Sequence, residues 1–198
     1  MATRDRILDA AESLVLQRGF AGTTVDAVLA SAAVSKGAFF HHFPSKHRLG
    51  MALVERYAQQ DLEILETFMG TAEEESEEPG RQLVEFLRLF EEAASDTSVD
   101  VPGCLFVPFV YEQVSKDIND VIVGSIELWR DRILAKLEAA AAARPLTVDV
   151  DLHSLADQVF TTIEGGFILT RAVGDPTSLA MQLGHLRTYM TLLLDLTA

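Results

Sequence analysis

The chain has 198 residues, 48 % of them hydrophobic, with 16 Lys and Arg against 30 Asp and Glu, a formal net charge of −14. Length and apolar content suffice for one large core or two small ones, which excludes wholesale disorder. The single cysteine, Cys104, excludes an internal disulfide and a cysteine-built zinc site, and the overall acidity argues against nucleic acid, whose phosphates recruit surplus Lys and Arg.

Strand-type alternation is nearly missing and helical spacing recurs from end to end, so the pattern predicts an all-α fold of about nine helices. The first runs from about Thr3 to Arg18, with Ile7, Ala10, Ala11, Leu14 and Val15 at three- and four-residue steps and Gly19 stopping it. Thr24 is placed to cap a short second helix, Val25 to about Ser31, and a short third starts near Ser35 and ends before Pro44. Ser45 then caps a long fourth helix carrying Leu49, Leu53, Tyr57 and Phe68, with its end expected at Gly70 and the acidic run from Glu73 to Glu78. That run reads as a solvated loop and helix start. A fifth helix follows Pro79, and a short apolar sixth segment spans CLFVPFVYEQV. The seventh (about Asp117 to Ala143), the eighth (about Asp149 to Val173) and the ninth (Leu179 to Leu193) each carry an apolar stripe.

The acids of MATRDRILDAAE interrupt the apolar stretch a signal peptide needs, and no run approaches the roughly 18 apolar residues of a membrane span. A soluble cytoplasmic protein with no membrane partner is expected. There is no Gly-rich phosphate loop, no G-x-S-x-G and no H-E-x-x-H, and no acid, base or nucleophile set stands out, so no enzyme and no cofactor are expected.

Charge is unevenly spread. Residues 1–50 hold six Lys and Arg against four Asp and Glu, a net of +2, which leaves −16 on residues 51–198. Such asymmetry points to one segment that meets a polyanion. The same segment has the proportions of a helix-turn-helix, whose second helix enters the major groove and must present small or polar residues outward. SKGAFFHHF fits: Ser35 caps it, Lys36 and Gly37 lie at its start, and Val34, Phe39 and Phe43 are spaced to pack inward. For His41 and His42 the alternative is metal ligation, but neighbours on a helix point about 100° apart, and no i+4 carboxylate completes a site. No metal is expected.

Residues TRDRILDAAESLVLQRGFAGTTVDAVLASAAVSKGAFFHHFPSKHRLGMAL resemble the DNA-binding domain of the TetR/AcrR family of bacterial transcriptional regulators. The likeness lies in the start helix, the G-F-x-x-T-T turn, the V-S-K-G turn and the H-H-F-x-S-K closure. It implies a DNA-binding domain over residues 1–48 and a ligand-binding and dimerisation domain over 49–198. It implies that Thr24 meets a phosphate from a helix N-terminus, that Lys36, Gly37, Ala38 and His41 face base edges or nearby phosphates, and that His42 and Lys46 meet the backbone on the flank. Two residues depart from the family pattern. Phe40 stands where a Tyr hydroxyl usually reaches phosphate, and Ala33 where Gly usually makes the turn.

A protein that reads two half-sites must dimerise, since one short helix buries too little surface. The resemblance puts the interface on the last two helices, at Leu155, Val159, Gly165, Gly166, Leu183, Leu186 and Met190, where glycines allow a partner helix to approach. The alternative is that these glycines relieve crowding within one subunit. An effector pocket is implied among Phe86, Phe90, Phe106, Phe109, Tyr111, Trp129, Phe160 and Phe167, with Glu112, Gln113 and Thr161 supplying polar contacts; plain core is the alternative for these aromatics. Cys104, beside Gly103 at the start of the short sixth helix, offers a rival thiol sensor, against the reading of a buried inert cysteine. The expected partners are thus a double-stranded DNA operator, a second copy of the chain, and a small-molecule effector of unnamed chemistry that releases the DNA. An activator using the same head is the alternative to a repressor.

Overall fold

The structure is a computed structural model describing residues 2–96, 103–112 and 114–196, and those residues form helices and connecting turns with no strand. The helices are α1 (Thr3–Arg18), α2 (Val25–Ala32), α3 (Lys36–His42), α4 (Lys46–Glu75), α5 (Pro79–Ser95), α6 (Phe106–Tyr111), α7 (Lys116–Ala143), α8 (Leu152–Val173) and α9 (Ser178–Leu193). Most ends fall where capping chemistry puts them. Thr24 and Ser35 accept the backbone N–H groups of Ala27 and Ala38, both at 3.2 Å, Ser45 accepts that of Arg48, and Asp151 accepts that of Ser154 at 2.7 Å. Gly19 (φ 81°) and Gly174 (φ 74°) close α1 and α8.

One expected stop is overrun. α4 continues through Gly70 to Glu75, because a lone glycine costs a helix only about 1 kcal/mol. Leu65, Met69 and Ala72 are meanwhile fully buried along the same stripe.

The chain divides into two compact units: one holds residues 1–61 and 104–125, the other 62–103 and 126–198. In the first unit, Ile7, Leu8, Ala11 and Val15 of α1 are buried, as are Val28 of α2, Phe39 and Phe43 around α3, and Leu49, Leu53 and Val54 of α4. Each such side chain contributes about 1.5–3 kcal/mol relative to exposure. Arg56 of α4 ties back to α1, donating to Asp9 at 2.7 Å and Glu12 at 2.5 Å. Arg6 donates to the carbonyls of Ala32 and Ala33 at the end of α2, so α1 fixes the position of the turn into α3.

The second unit packs α5 and α8 on α9 around a core that includes Leu83, Phe86, Leu87, Trp129, Ile133, Val159, Ile163, Leu183 and Met190. Phe86, Phe90 and Trp129 form an aromatic triangle with centroids 6.0–6.1 Å apart. Glu91 of α5 accepts from Arg187 of α9 at 2.7 Å.

Candidate nucleic-acid interface

Helix α3 divides its side chains by depth. Phe39 is fully buried and Phe43, just beyond the helix, is 2 % exposed, while Lys36, Gly37, Phe40 and His41 face solvent and Ala38 and His42 are half-buried. The buried pair anchors the helix and leaves a face of one cation, a glycine, an aromatic ring and imidazoles outward. Phe40 is 41 % exposed and rests edge-on against Phe39 at 5.2 Å. A Cβ added at Gly37 would meet nothing within 4 Å. Its lack of a side chain therefore serves no packing need of the subunit and lets another surface approach the backbone closely.

Thr24 sits at the start of α2 with its oxygen accepting from Ala27, so its hydroxyl hydrogen stays available to an external acceptor. With the N-terminal N–H groups of α2, this corner has the donors to accept an anion.

Lys46, expected to meet the backbone on the flank, is half-buried. Its ammonium donates to the Ala21 carbonyl at 3.1 Å and lies 4.6 Å from the centre of the Phe20 ring. Burial holds it below the usual lysine range, opposed by the nearby Glu112 carboxylate. Arg4, which pattern reasoning passed over, has its guanidinium 5.5 Å from the centre of the Phe43 ring. Nothing local in the sequence signals that pairing, because the two residues meet only once α1 and α3 are packed.

The aromatic and polar residues assigned to an effector pocket fall into two groups. Phe86, Phe90, Trp129, Phe160, Thr161 and Phe167 belong to the second unit, and Phe106, Phe109, Tyr111 and Glu112 to the first; Gln113 lies outside the described residues. Three of them are exposed or bonded to backbone. Tyr111 is 80 % exposed, Thr161 is exposed and its hydroxyl bonds its own helix at the Asp157 carbonyl, and Glu112 accepts from the Ala21 N–H at 2.5 Å. Phe109 is fully buried against Phe20 at 4.7 Å, and Phe106 stacks edge-on against Tyr57 at 4.8 Å. Cys104 is buried, and α6 starts two residues later at Phe106.

The residues assigned to a dimer surface need a similar correction. Leu155, Val159, Leu183, Leu186 and Met190 are buried within a single chain, and Gly166 faces Leu179, whose side chain a Cβ would collide with. The apolar stripe has the expected period, and its residues pack into the core of the same subunit among α5, α8 and α9. Gly165 alone of the set looks onto open space. The outward face next to it carries Ile168 and Leu169 on α8 and Met181, Tyr189 and Leu192 on α9, each 41–56 % exposed. A groove of about 590 Å³ lies on this side, lined among others by Gln158 and Thr162 of α8 and His185 and Tyr189 of α9.

A short capped helix with a bare backbone at Gly37, packed on α1 and following α2 through a tight turn, defines a helix-turn-helix DNA-binding head. The comparisons extend this to the rest of the chain. Residues 7–52 match the model of bacterial regulatory proteins of the tetR family, and residues 79–186 match a tetracyclin repressor-like C-terminal domain; the chain belongs to the tetR family of transcriptional regulators, which are DNA-binding proteins and not enzymes. Curated relatives include the transcriptional regulator AcuR of Cereibacter sphaeroides, 28 % identical over 77 % of this chain and 68 % of that protein. The repressor NemR of Escherichia coli is 42 % identical over a shorter stretch, 34 % of this chain and 36 % of that one. Among solved structures, a TetR regulator from Chloroflexus aurantiacus has a TM-score of 0.75 at 26 % identity, covering 96 % of this chain and 94 % of that one. The regulatory protein TetR from Rhodobacter sphaeroides has a TM-score of 0.76 at 24 % identity, covering 93 % and 97 %.

No described helix is long and apolar enough to cross a membrane.

Proposed function

We propose that the protein is a ligand-responsive, sequence-specific repressor that binds a pseudo-palindromic operator as a homodimer and leaves it when a small molecule binds. The observation that carries DNA reading is the outward face of α3, where exposed Lys36, Gly37, Phe40 and His41 surround a backbone open to approach. Ala38, His42 and Thr24 flank it. Lys36 supplies the charge, Gly37 the closeness, and His41 and Phe40 the contacts to base edges or the thymine methyl.

Dimerisation supplies the second head. The outward apolar residues of α8 and α9, with Gly165 open between them, support a helical interface on that side. Release requires an effector that binds better to a conformation whose two recognition helices no longer match successive major grooves. α4 is the continuous element suited to carry this change, since its residues 46–61 belong to the head unit and 62–75 to the other.

Selection of genomic or random DNA fragments by the purified protein, followed by gel shift, tests the reading. Recovery of an inverted repeat with salt-sensitive binding supports it; recovery of no preferred sequence, or binding by a monomer, sinks it. Compounds that release the selected duplex would then define the effector.

Thiol sensing through Cys104 is a second reading. It is favoured by the solved structure of NemR, a protein described in a reduced form. Confirmed alkylation of Cys104 with unchanged affinity for the selected duplex would dispose of it.

A further inference from the structure

We infer that Glu112 and Lys46 are positioning residues of the DNA-binding head, which hold the backbone N–H and the carbonyl of Ala21 and thereby set the start of α2. The inference rests on the operator-binding reading above. Ala21 donates its N–H to Glu112 Oε2 at 2.5 Å, and its carbonyl accepts from Lys46 Nζ at 3.1 Å. The two peptide groups that meet at the Ala21 Cα are thus held by a carboxylate and an ammonium, and hydrogen bonds to charged partners are the stronger kind.

The surroundings are shaped for this arrangement. Gly19, at φ 81°, leaves the Glu112 carboxylate the space where a Cβ would stand, and Gly50 leaves space for the Phe20 ring. Phe20 has the Lys46 ammonium 4.6 Å and the Phe109 ring 4.7 Å from its ring centre. Phe109 and Glu112 lie three residues apart at the end of α6, so that end grips both Phe20 and Ala21. Beyond Ala21, Thr23 bonds back to the Gly19 carbonyl at 2.8 Å, and Thr24 caps α2. The grip of α6 therefore reaches the Thr24 corner through three residues of tied backbone. His47, next to Lys46, adds a parallel tie to Asp117 at 3.0 Å.

Two competing accounts give opposite results. An acidic side chain near a duplex repels it, so simple electrostatics predicts that loss of Glu112 tightens binding to any DNA. A Lys46 that met phosphate would contribute about one unit to the salt slope. The clamp predicts neither.

The test uses the full-length protein, the duplex that wild type selects, a random-sequence duplex, and amide hydrogen exchange at Ala21. Glu112→Ala should weaken binding to the selected duplex about tenfold, within the usual range of coupling between sites, with a smaller effect on the random duplex. Glu112→Gln, which keeps an acceptor oxygen for the Ala21 N–H, should recover most of that loss. Lys46→Met should weaken the selected complex with its salt slope unchanged. Equal or tighter binding by Glu112→Ala, or a slope lowered by about one in Lys46→Met, overturns the inference. The exchange arm needs no DNA: faster exchange at Ala21 in Glu112→Ala supports the clamp and unchanged protection refutes it. The clamp is thereby tested even if no duplex is selected, the result that would defeat the operator reading itself.

Discussion

Ala33 holds φ 51° and ψ 50° at the end of α2, the left-handed region that an L side chain with a Cβ enters at a cost of about 1–2 kcal/mol. Arg6, donating to the carbonyls of Ala32 and Ala33, helps hold the strained turn. Ala33→Gly should therefore raise stability by about 1 kcal/mol, part of the relief being returned as the greater unfolded-state entropy of glycine. A urea midpoint that is unchanged or lower would contradict this. Gly37 presents the opposite exchange. Its Cβ space is empty in the free subunit, so Gly37→Ala should stabilise α3 by up to about 1 kcal/mol while weakening binding to the selected duplex. A variant that is more stable and binds equally well would show that no close approach occurs there. Ala33 and Gly37 were both legible in the sequence as turn and recognition positions. The positive φ at Ala33 and the open space at Gly37 became visible only in the folded turn.

At the scale of elements, α4 and α7 are joined in the second unit by ion pairs on Glu73, which accepts from Arg132 at 2.8 Å and Lys136 at 2.6 Å. The hydrogen bond from Lys136 is the largest cause that holds the Glu73 carboxyl below its ordinary value of 4.5, with Arg132 adding to it and desolvation opposing. A carboxyl depressed in the folded state stabilises above its unfolded value and loses that contribution as pH falls through the folded value. Glu73→Gln should accordingly lower the urea midpoint at neutral pH and lose less stability than wild type between about pH 5 and pH 3. An equal loss in both proteins over that window would remove Glu73 from the acid response. From the sequence the run containing Glu73 reads as a solvated loop. It is instead the last turn of α4 for Glu73 to Glu75, because the pairing with α7 spans some sixty residues and leaves no local signature.

For the molecule as a whole, the two faces of α8 and α9 have different work. Leu183, Leu186 and Met190 hold the subunit together, so a bulky residue at Gly166, pressed on Leu179, would damage the fold itself. The informative changes lie on the outward face. Gly165→Leu and Leu192→Glu should leave the monomer folded, shift sedimentation from dimer to monomer, and lower affinity for a two-half-site operator far more than for a single half-site. Dimers that persist in both variants would place the interface elsewhere.

The sequence by itself determined the all-α class, nearly all helix boundaries, the helix-turn-helix and its family, because caps, glycine stops and the 3.6-residue period act over a few residues. It also located the +2 segment that coincides with the head. Only the tertiary structure decided which side of α8 and α9 is core, since periodicity fixes the width of an apolar stripe and not the neighbour it meets. The same holds for Glu112 and Lys46. They read as a pocket acid and a phosphate contact, whereas folding brings Glu112, 91 positions along the chain, onto the Ala21 N–H and Lys46 onto the Ala21 carbonyl.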